Sequence, residues 1–305
     1  MTGLPYRTLN PVLRSRYGVR VQKITLDAGL SCPNRNPSRK GGCIYCNPRG
    51  SGTGALAAGV PLKDQIADQI LHMRKRYGAE AFIAYFQSFS NTYAPLEMLK
   101  SIYDTILPYP EIVGLSIGTR PDCIDEAKLK LIDGYAGDRM VWIEYGLQSA
   151  NDETLSRINR GHDVKAFIDA VELTSHFNLR QCVHVIIGLP GEGMDDYIST
   201  ARLISSLPVT DIKIHLLYVV KETPLAAMLH AGEYTPLSLD AYCSAVTRFI
   251  GHLRSDIIIQ RITGDPHPLE LLEPSWALEK GSVRKAIHQE LERTGITQGC
   301  EWDKP

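Results

Sequence analysis

Short apolar runs alternate along the chain with longer stretches whose apolar residues recur every three or four positions. The runs at 20–27, 81–86, 112–118, 140–146, 182–188 and 211–219 are rich in β-branched and aromatic residues, and short enough for strands buried in a parallel sheet. Between the first two, Leu62, Ile66, Ile70, Met73 and Tyr77 fall on one face of a helix. Similar spacing predicts helices over 96–106, 124–135, 164–177 and 195–206. Such alternation predicts an α/β fold with a parallel sheet and right-handed crossovers. Six units of this kind make a partial (β/α)6 TIM-like barrel with a lateral gap through which a large substrate could pass. A further helix over 239–254, a seventh strand over 256–262 and a last helix over 281–294 follow. Residues 1–263 are read as the barrel core with a basic N-terminal segment, and residues 264–305 as an extension packed on it.

Polar residues inside the apolar runs point to chemistry. In the sixth strand Lys213, His215 and Leu217 share one face while Ile212, Ile214 and Leu216 share the other. Either a lumen that binds something polar or an open edge facing solvent would produce that pattern. Lys213, His215 and the following Lys221 are therefore candidates for substrate contact. Glu144 lies among Ile, Tyr and Val, so its carboxylate must find a partner or face the lumen. His184 stands in an apolar run, as a hydrogen-bonded core histidine or a site group would.

The loop after the first strand, where barrels of this type carry catalytic groups, reads CPNRNPSRKGGCIYC. It brings Cys32, Cys43 and Cys46 together, with Tyr45 just before the last. Clusters of the 4Fe–4S type are held by thiolates, usually four. Three ligands leave one iron open to a small molecule. A C-x2-C pair also suits structural zinc, so a non-catalytic zinc-binding module is the alternative. Cys123, Cys182, Cys243 and Cys300 have no metal-like spacing and read as small buried hydrophobes. A total of seven cysteines, an odd number, argues against a disulfide framework.

This loop resembles the signature of the radical S-adenosylmethionine (SAM) enzymes, and its CPNR opening and wide first gap resemble the branch that includes the elongator catalytic subunit. Further segments carry the likeness in order. The second strand ends in YFQSFSNTY, with Gln87 and Ser88 where a glycine pair usually holds the SAM amino group. The third ends in LSIGTRPD, which puts Ser116 or Thr119 near the SAM ribose and Arg120 and Asp122 just beyond. The fourth unit, VWIEYGLQSANDETLSRINRGHD, is similar to the elongator-type and coproporphyrinogen-dehydrogenase-type proteins. The resemblance implies that Gln148 contacts the ribose and that Arg160 forks onto the SAM carboxylate. It puts His184 near the adenosine and Tyr45 beside the cofactors, and leaves Arg120 and Glu144 as catalytic or substrate candidates. QRITGD (260–265) and EPSW (273–276) resemble a small subgroup without an acetyltransferase domain.

The resemblance implies a mechanism. A 4Fe–4S cluster on the three cysteines binds SAM, a flavodoxin or ferredoxin-type donor supplies one electron, and a 5′-deoxyadenosyl radical abstracts hydrogen from a substrate. The elongator likeness suggests tRNA, at the C5 side chain of the wobble uridine. A small metabolite, as in the porphyrin-pathway relatives, is the second reading.

A net charge of −1 argues neither for nor against a polyanionic partner. Local charge says more. Arg7, Arg14, Arg16, Arg20 and Lys23 crowd the start, and Arg35, Arg39, Lys40 and Arg49 surround the cysteine loop. These sets could meet phosphates or simply face water. No apolar run is long enough for a bilayer and the first residues lack a signal-peptide core, so a cytoplasmic protein with reduced thiols is expected.

Overall fold

The computed structural model describes residues 3–36, 38, 40–50 and 52–303, so Arg39 lies outside the described residues. The chain opens with helix α1 (Leu9–Tyr17) and then alternates. Strand β1 (Val21–Leu26) leads to α2 (Leu62–Tyr77), β2 (Ala81–Phe86) to α3 (Leu96–Tyr103), and β3 (Ile112–Thr119) to α4 (Glu126–Asp133). Strand β4 (Met140–Gln148) leads to α5 (Asp152–Arg157) and α6 (Val164–Thr174), and β5 (Arg180–Ile187) to α7 (Met194–Ser206). After β6 (Asp211–Leu216) come β7 (Val219–Val220), α8 (Pro224–His230), α9 (Leu239–His252), β8 (Ile258–Arg261), β9 (Leu271–Glu273) and α10 (Lys280–Thr294).

Among the described residues the main sheet has seven parallel strands in the order β1-β2-β3-β4-β5-β6-β8. Lying flat, seven strands would hold their edges roughly 29 Å apart, at about 4.8 Å per step. Instead Lys23 Nζ on β1 donates to Gln260 Oε1 on β8 at 2.9 Å. The sheet is therefore curled into a half-barrel, the α/β architecture expected from the alternation. Its apolar runs are continuous because helices cover the outer face while the inner face closes on itself. All six residues of β2 are buried.

Helix α1 has no counterpart among the elements that the apolar periodicity predicts. It carries part of the basic N-terminal set, of which Arg14 and Arg16 are exposed. But Leu9 and Leu13, one turn apart, join Val21, Ala81, Ile83, Met140, Trp142, Cys182 and Ile258 in an apolar cluster separate from the main core. Val21, Ala81, Met140 and Ile258 are the first residues of their strands. The helix thus plugs the N-terminal end of the barrel, and Gly18 ends it in the left-handed conformation at φ 72°. The residues before α1 cover the last strand: Thr8 bridges Ile259 in parallel, so the outer edge of β8 is not left bare.

The predicted sixth strand, 211–219, is shorter than expected. It stops at Leu216, the Leu217 N–H turns to the Ile187 carbonyl at 2.9 Å, and Val219–Val220 pair antiparallel with β9 instead. Helix α10 lies on α9 and contributes Val283, Ile287 and Leu291 to the main core.

The plug makes a stability prediction. Leu13→Ala should cost about 2–4 kcal/mol, the usual penalty for hollowing a packed apolar site, as read by anaerobic chemical denaturation. An unchanged midpoint would mean that α1 does not seal the barrel floor.

Candidate active site

The cysteine loop is held at its root and on its flank. Gln65 from α2 accepts the Asp27 N–H at 2.8 Å and donates to the carbonyls of Asp27 (3.1 Å) and Val60 (2.9 Å). Arg35 Nη2 donates to the carbonyls of Cys46 (3.1 Å) and Asn47 (2.8 Å). The segment after α5 grips the far side: Asn159 donates to the Gly42 carbonyl at 2.8 Å, and Asn34 donates to the Asn159 carbonyl at 2.6 Å. Gly41 and Gly42, at φ 88° and 99°, supply a turn that most side chains would resist.

This scaffold brings Cys32, Cys43 and Cys46 onto the wall of one cavity of about 1390 Å³. The Cys46 N–H bonds the Cys43 carbonyl at 3.0 Å, closing the C-x2-C turn. Burial pushes the Cys46 thiol up while Arg35 opposes it. Arg160 Nη1 lies 3.6 Å from the Cys43 sulfur and Asn34 Nδ2 3.9 Å from it. Burial disfavours the Arg160 charge, but Cys43 and Tyr45 hold it on more firmly than usual. Burial, then Cys43, pushes the Tyr45 hydroxyl well up, so that it stays protonated.

The donor chemistry distinguishes between metals. Tetrahedral zinc, with Zn–S of about 2.3 Å, gathers its thiolates to within about 3.8 Å of one another. Among the described residues the three cysteines do not form a group whose ligand atoms all lie within 4.8 Å. Three thiols set wider apart, with cations behind them, suit a larger core that takes one thiolate per metal and carries net negative charge. The group that does converge, Glu144, Cys182 and His184, is a poor cation site because two lysines already occupy the carboxylate.

Around the cysteines the backbone is strained. Ser88 (φ 132°), Phe89 (φ 61°) and Gln148 (φ 79°) adopt conformations that favour glycine, and all three line the cavity. Gln148 follows a register shift between β4 and β5. Among the described residues the buried Ser88 Oγ has no hydrogen-bond partner, an orphan that a polar cofactor would satisfy. At Gly146 an added Cβ would lie 2.5 Å from Arg160 and 2.7 Å from Gln148, so only glycine leaves both side chains in place. Arg160 donates to the Gly146 carbonyl at 2.6 Å.

Below this shelf lies a polar layer. The Glu144 side chain is fully buried. It accepts Lys23 at 2.8 Å and His184 Nε2 at 2.7 Å, and it also bonds Lys213 and Ser116. His184 stacks on His215 with centroids 5.0 Å apart, and His215 Nε2 lies 3.2 Å from His184 Nδ1. With Glu144 ionised, His184 donates through Nε2 and accepts through Nδ1, which makes His215 Nε2 the next donor. Burial works against the Glu144 charge, but Lys213 and Lys23 hold its carboxyl well below the usual range. Burial pushes Lys213 down to about 7. Burial, then Lys213, lowers His184 to about 4; burial, then His184, lowers His215 well below its ordinary value.

Most of the sequence-proposed residues meet in this cavity: Tyr45, Gln87, Ser88, Thr119, Arg120, Glu144, Gln148, Arg160, His184, Lys213 and His215 line it with the cysteines. Two do not. Ser116 is fully buried and spends its hydroxyl on Glu144, because a residue halfway along β3 sits beneath the cavity surface. Lys221 follows β7 and is exposed, and its ammonium bonds the Leu269 carbonyl at 2.9 Å; the break after Leu216 carries it out of the strand. Arg160 is turned toward the Cys43 sulfur. Arg120 pairs bidentately with Asp122 (2.8 and 2.6 Å) and also bonds the carbonyls of Arg160 and Gly161. Because Arg120 is only 3% exposed, this is no solvated surface pair. Sequence reasoning missed Lys23, Tyr85, Gln260 and Arg261, which also line the lumen. Lys23 had a signal, since a lysine inside an apolar strand run raises the same question as Glu144.

The chain belongs to the radical SAM superfamily: a model of that superfamily matches residues 32–204, and one of the radical SAM C-terminal domain matches residues 209–293. The superfamily's members are enzymes whose cofactors are a 4Fe–4S cluster and SAM. Protein YtqA of Bacillus subtilis, described as uncharacterized, is 38% identical over 96% of this chain and 92% of its own length. A tRNA uridine(34) acetyltransferase of Dehalococcoides mccartyi is 29% identical over 46% of this chain and 30% of its own length. Among solved structures, archaeal Elp3 of Methanocaldococcus infernus with its N-terminal residues 1–46 deleted has the same fold, with a TM-score of 0.72 at 17% identity. That alignment covers 92% of this chain but 64% of the Elp3 chain, so this chain spans less than two thirds of that relative. Among the described residues, no helix is long and apolar enough to cross a membrane.

The buried histidines set a pH dependence. His184, and His162 beside Arg160, are both held down to about 4, burial being the first cause. Unfolding returns them to about 6.5, so below that value the unfolded chain binds more protons than the folded one. Stability should therefore fall as pH drops from about 6.5 to 4. Urea midpoints measured across this window should decline, and His184→Gln should make the decline shallower. A flat profile would show that the two rings are free to charge in the folded protein.

Proposed function

We propose that this chain is a SAM-cleaving enzyme that acts on tRNA, at the C5 side chain of the wobble uridine, with a flavodoxin or ferredoxin-type protein as electron donor. One observation carries the reading. The cavity runs from the three cysteines over the Glu144 layer and out along Lys280, Arg284, Lys285 and His288 of α10. A polyanion resting on that cationic rim could send one base into the lumen. The kinship with a tRNA uridine(34) acetyltransferase supports the choice of nucleic acid.

Cys32, Cys43 and Cys46 would hold the cluster, with Arg35 and Arg160 balancing its charge. The chemistry that the cluster and SAM would supply there is hydrogen-atom abstraction from the substrate. The protein's own part is to orient and exclude water. Tyr45, Gln87, Ser88, Thr119, Gln148, Arg160 and His184 form the SAM shelf. Arg120 is a positioning residue, since it ties the Arg160–Gly161 backbone to the end of β3. Ile186, Leu217 and Tyr218 give the chamber an apolar wall, and Glu144, Lys213 and His215 give it a polar floor.

Anaerobic reconstitution with SAM and bulk tRNA, followed by mass spectrometry of the nucleosides, tests the substrate. A changed uridine and release of 5′-deoxyadenosine are expected. An unchanged nucleoside profile with active SAM cleavage would transfer the activity to a small metabolite. Cys43→Ala should lose most of the roughly four irons and four sulfides per chain that a full cluster brings; full retention would refute the ligand assignment.

A further inference from the structure

Cations outnumber carboxylates on the lumen floor. Among the described residues Lys23, Lys213 and Arg261 line it, with Glu144 as the carboxylate at that depth, while Asp265 and Glu292 line the same cavity nearer α10. Asp211, one layer deeper, is taken by Arg180 at 2.7 Å and Gln260 at 2.9 Å, and Asp265 at the rim pairs with Lys280 at 2.5 Å. Lys23 and Lys213 are both committed to Glu144. Arg261 differs from them. It ends β8, stands in register with Lys213 and is partly buried, yet among the described residues its guanidinium makes no hydrogen bond or ion pair. A confined cation without a partner is costly, and a planar fork matches a carboxylate.

We propose that Arg261, backed by Lys213 and flanked by His215 and Tyr218, is the seat of a carboxylate carried by the reacting group of the substrate. This rests on the reading of the lumen as the substrate chamber. A phosphate backbone would lie outside along α10, so only a substituent on the inserted base reaches the floor. Under the tRNA reading that substituent is a uridine side chain ending in a carboxylate.

The test uses reconstituted holoenzyme with SAM bound and two matched pairs of probes, uridine-5-acetic acid against its amide and malonate against malonamide, followed by calorimetry. Within each pair the carboxylate should bind about tenfold to a hundredfold more tightly, the usual range for a charge-assisted contact. Arg261→Gln should erase the difference, and Arg261→Lys should restore part of it. Because Arg261 makes no hydrogen bond among the described residues, the glutamine variant should keep its melting temperature and its SAM affinity. Equal binding of carboxylate and amide by the native enzyme would overturn the proposal. So would a preference that survives Arg261→Gln, or a loss of SAM affinity in that variant, which would assign the guanidinium to the cofactor. The malonate pair contains no nucleoside: its preference, together with an unchanged tRNA profile, would support the carboxylate seat and sink only the tRNA reading.

Discussion

A carboxylate buried in the middle of a strand must be satisfied from every side, and Glu144 is. Its partners come from β1 (Lys23), β3 (Ser116), β5 (His184) and β6 (Lys213), each from a different strand of the half-barrel. Removing any one of them would leave a charge or dipole unpaid in a low-dielectric interior. The network also draws the two edges of the sheet together, because Lys23 bridges Glu144 to Gln260 on the last strand. Beneath it the Asp211 carboxylate, held by Arg180 and Gln260, leads down to the apolar cluster that α1 closes; above it the lumen is open and polar.

The upper wall shows a second constraint. The loop after β2 places Ser88 and Phe89, and the last position of β4 places Gln148, in conformations that glycine would adopt without cost. Real glycine is kept for Gly146, where the space goes to Arg160 and Gln148. Non-glycine side chains in strained positions around one cavity are what a site that must present polar groups, rather than bare backbone, requires. Arg160 links the two regions, touching the Cys43 sulfur on one side and the β4 carbonyl on the other.

Much of this was legible in the sequence. The parallel strands announced themselves as β-branched runs because both of their faces are covered. The cysteine loop stood out because three of the chain's seven cysteines fall within fifteen residues, a spacing that suits a metal or a cluster. Glu144, Lys213 and His215 were found as polar exceptions to apolar alternation. What escaped depended on long-range closure. Leu9 and Leu13 look like two stray leucines until six strands curl around them. Ser116 reads like Thr119 until the depth of each along β3 is known. Lys221 seemed to continue a strand whose end is decided by pairing with β9. Arg261 could not be placed before β8 was known to close against β6.

The central claim is that the three cysteines hold a cluster with one iron left open toward this lumen. Electron paramagnetic resonance of the anaerobic, dithionite-reduced protein tests it most directly. The account predicts a reduced 4Fe–4S signal whose shape changes when SAM is added. A cluster signal that SAM leaves untouched, or a protein holding only diamagnetic zinc, would contradict it.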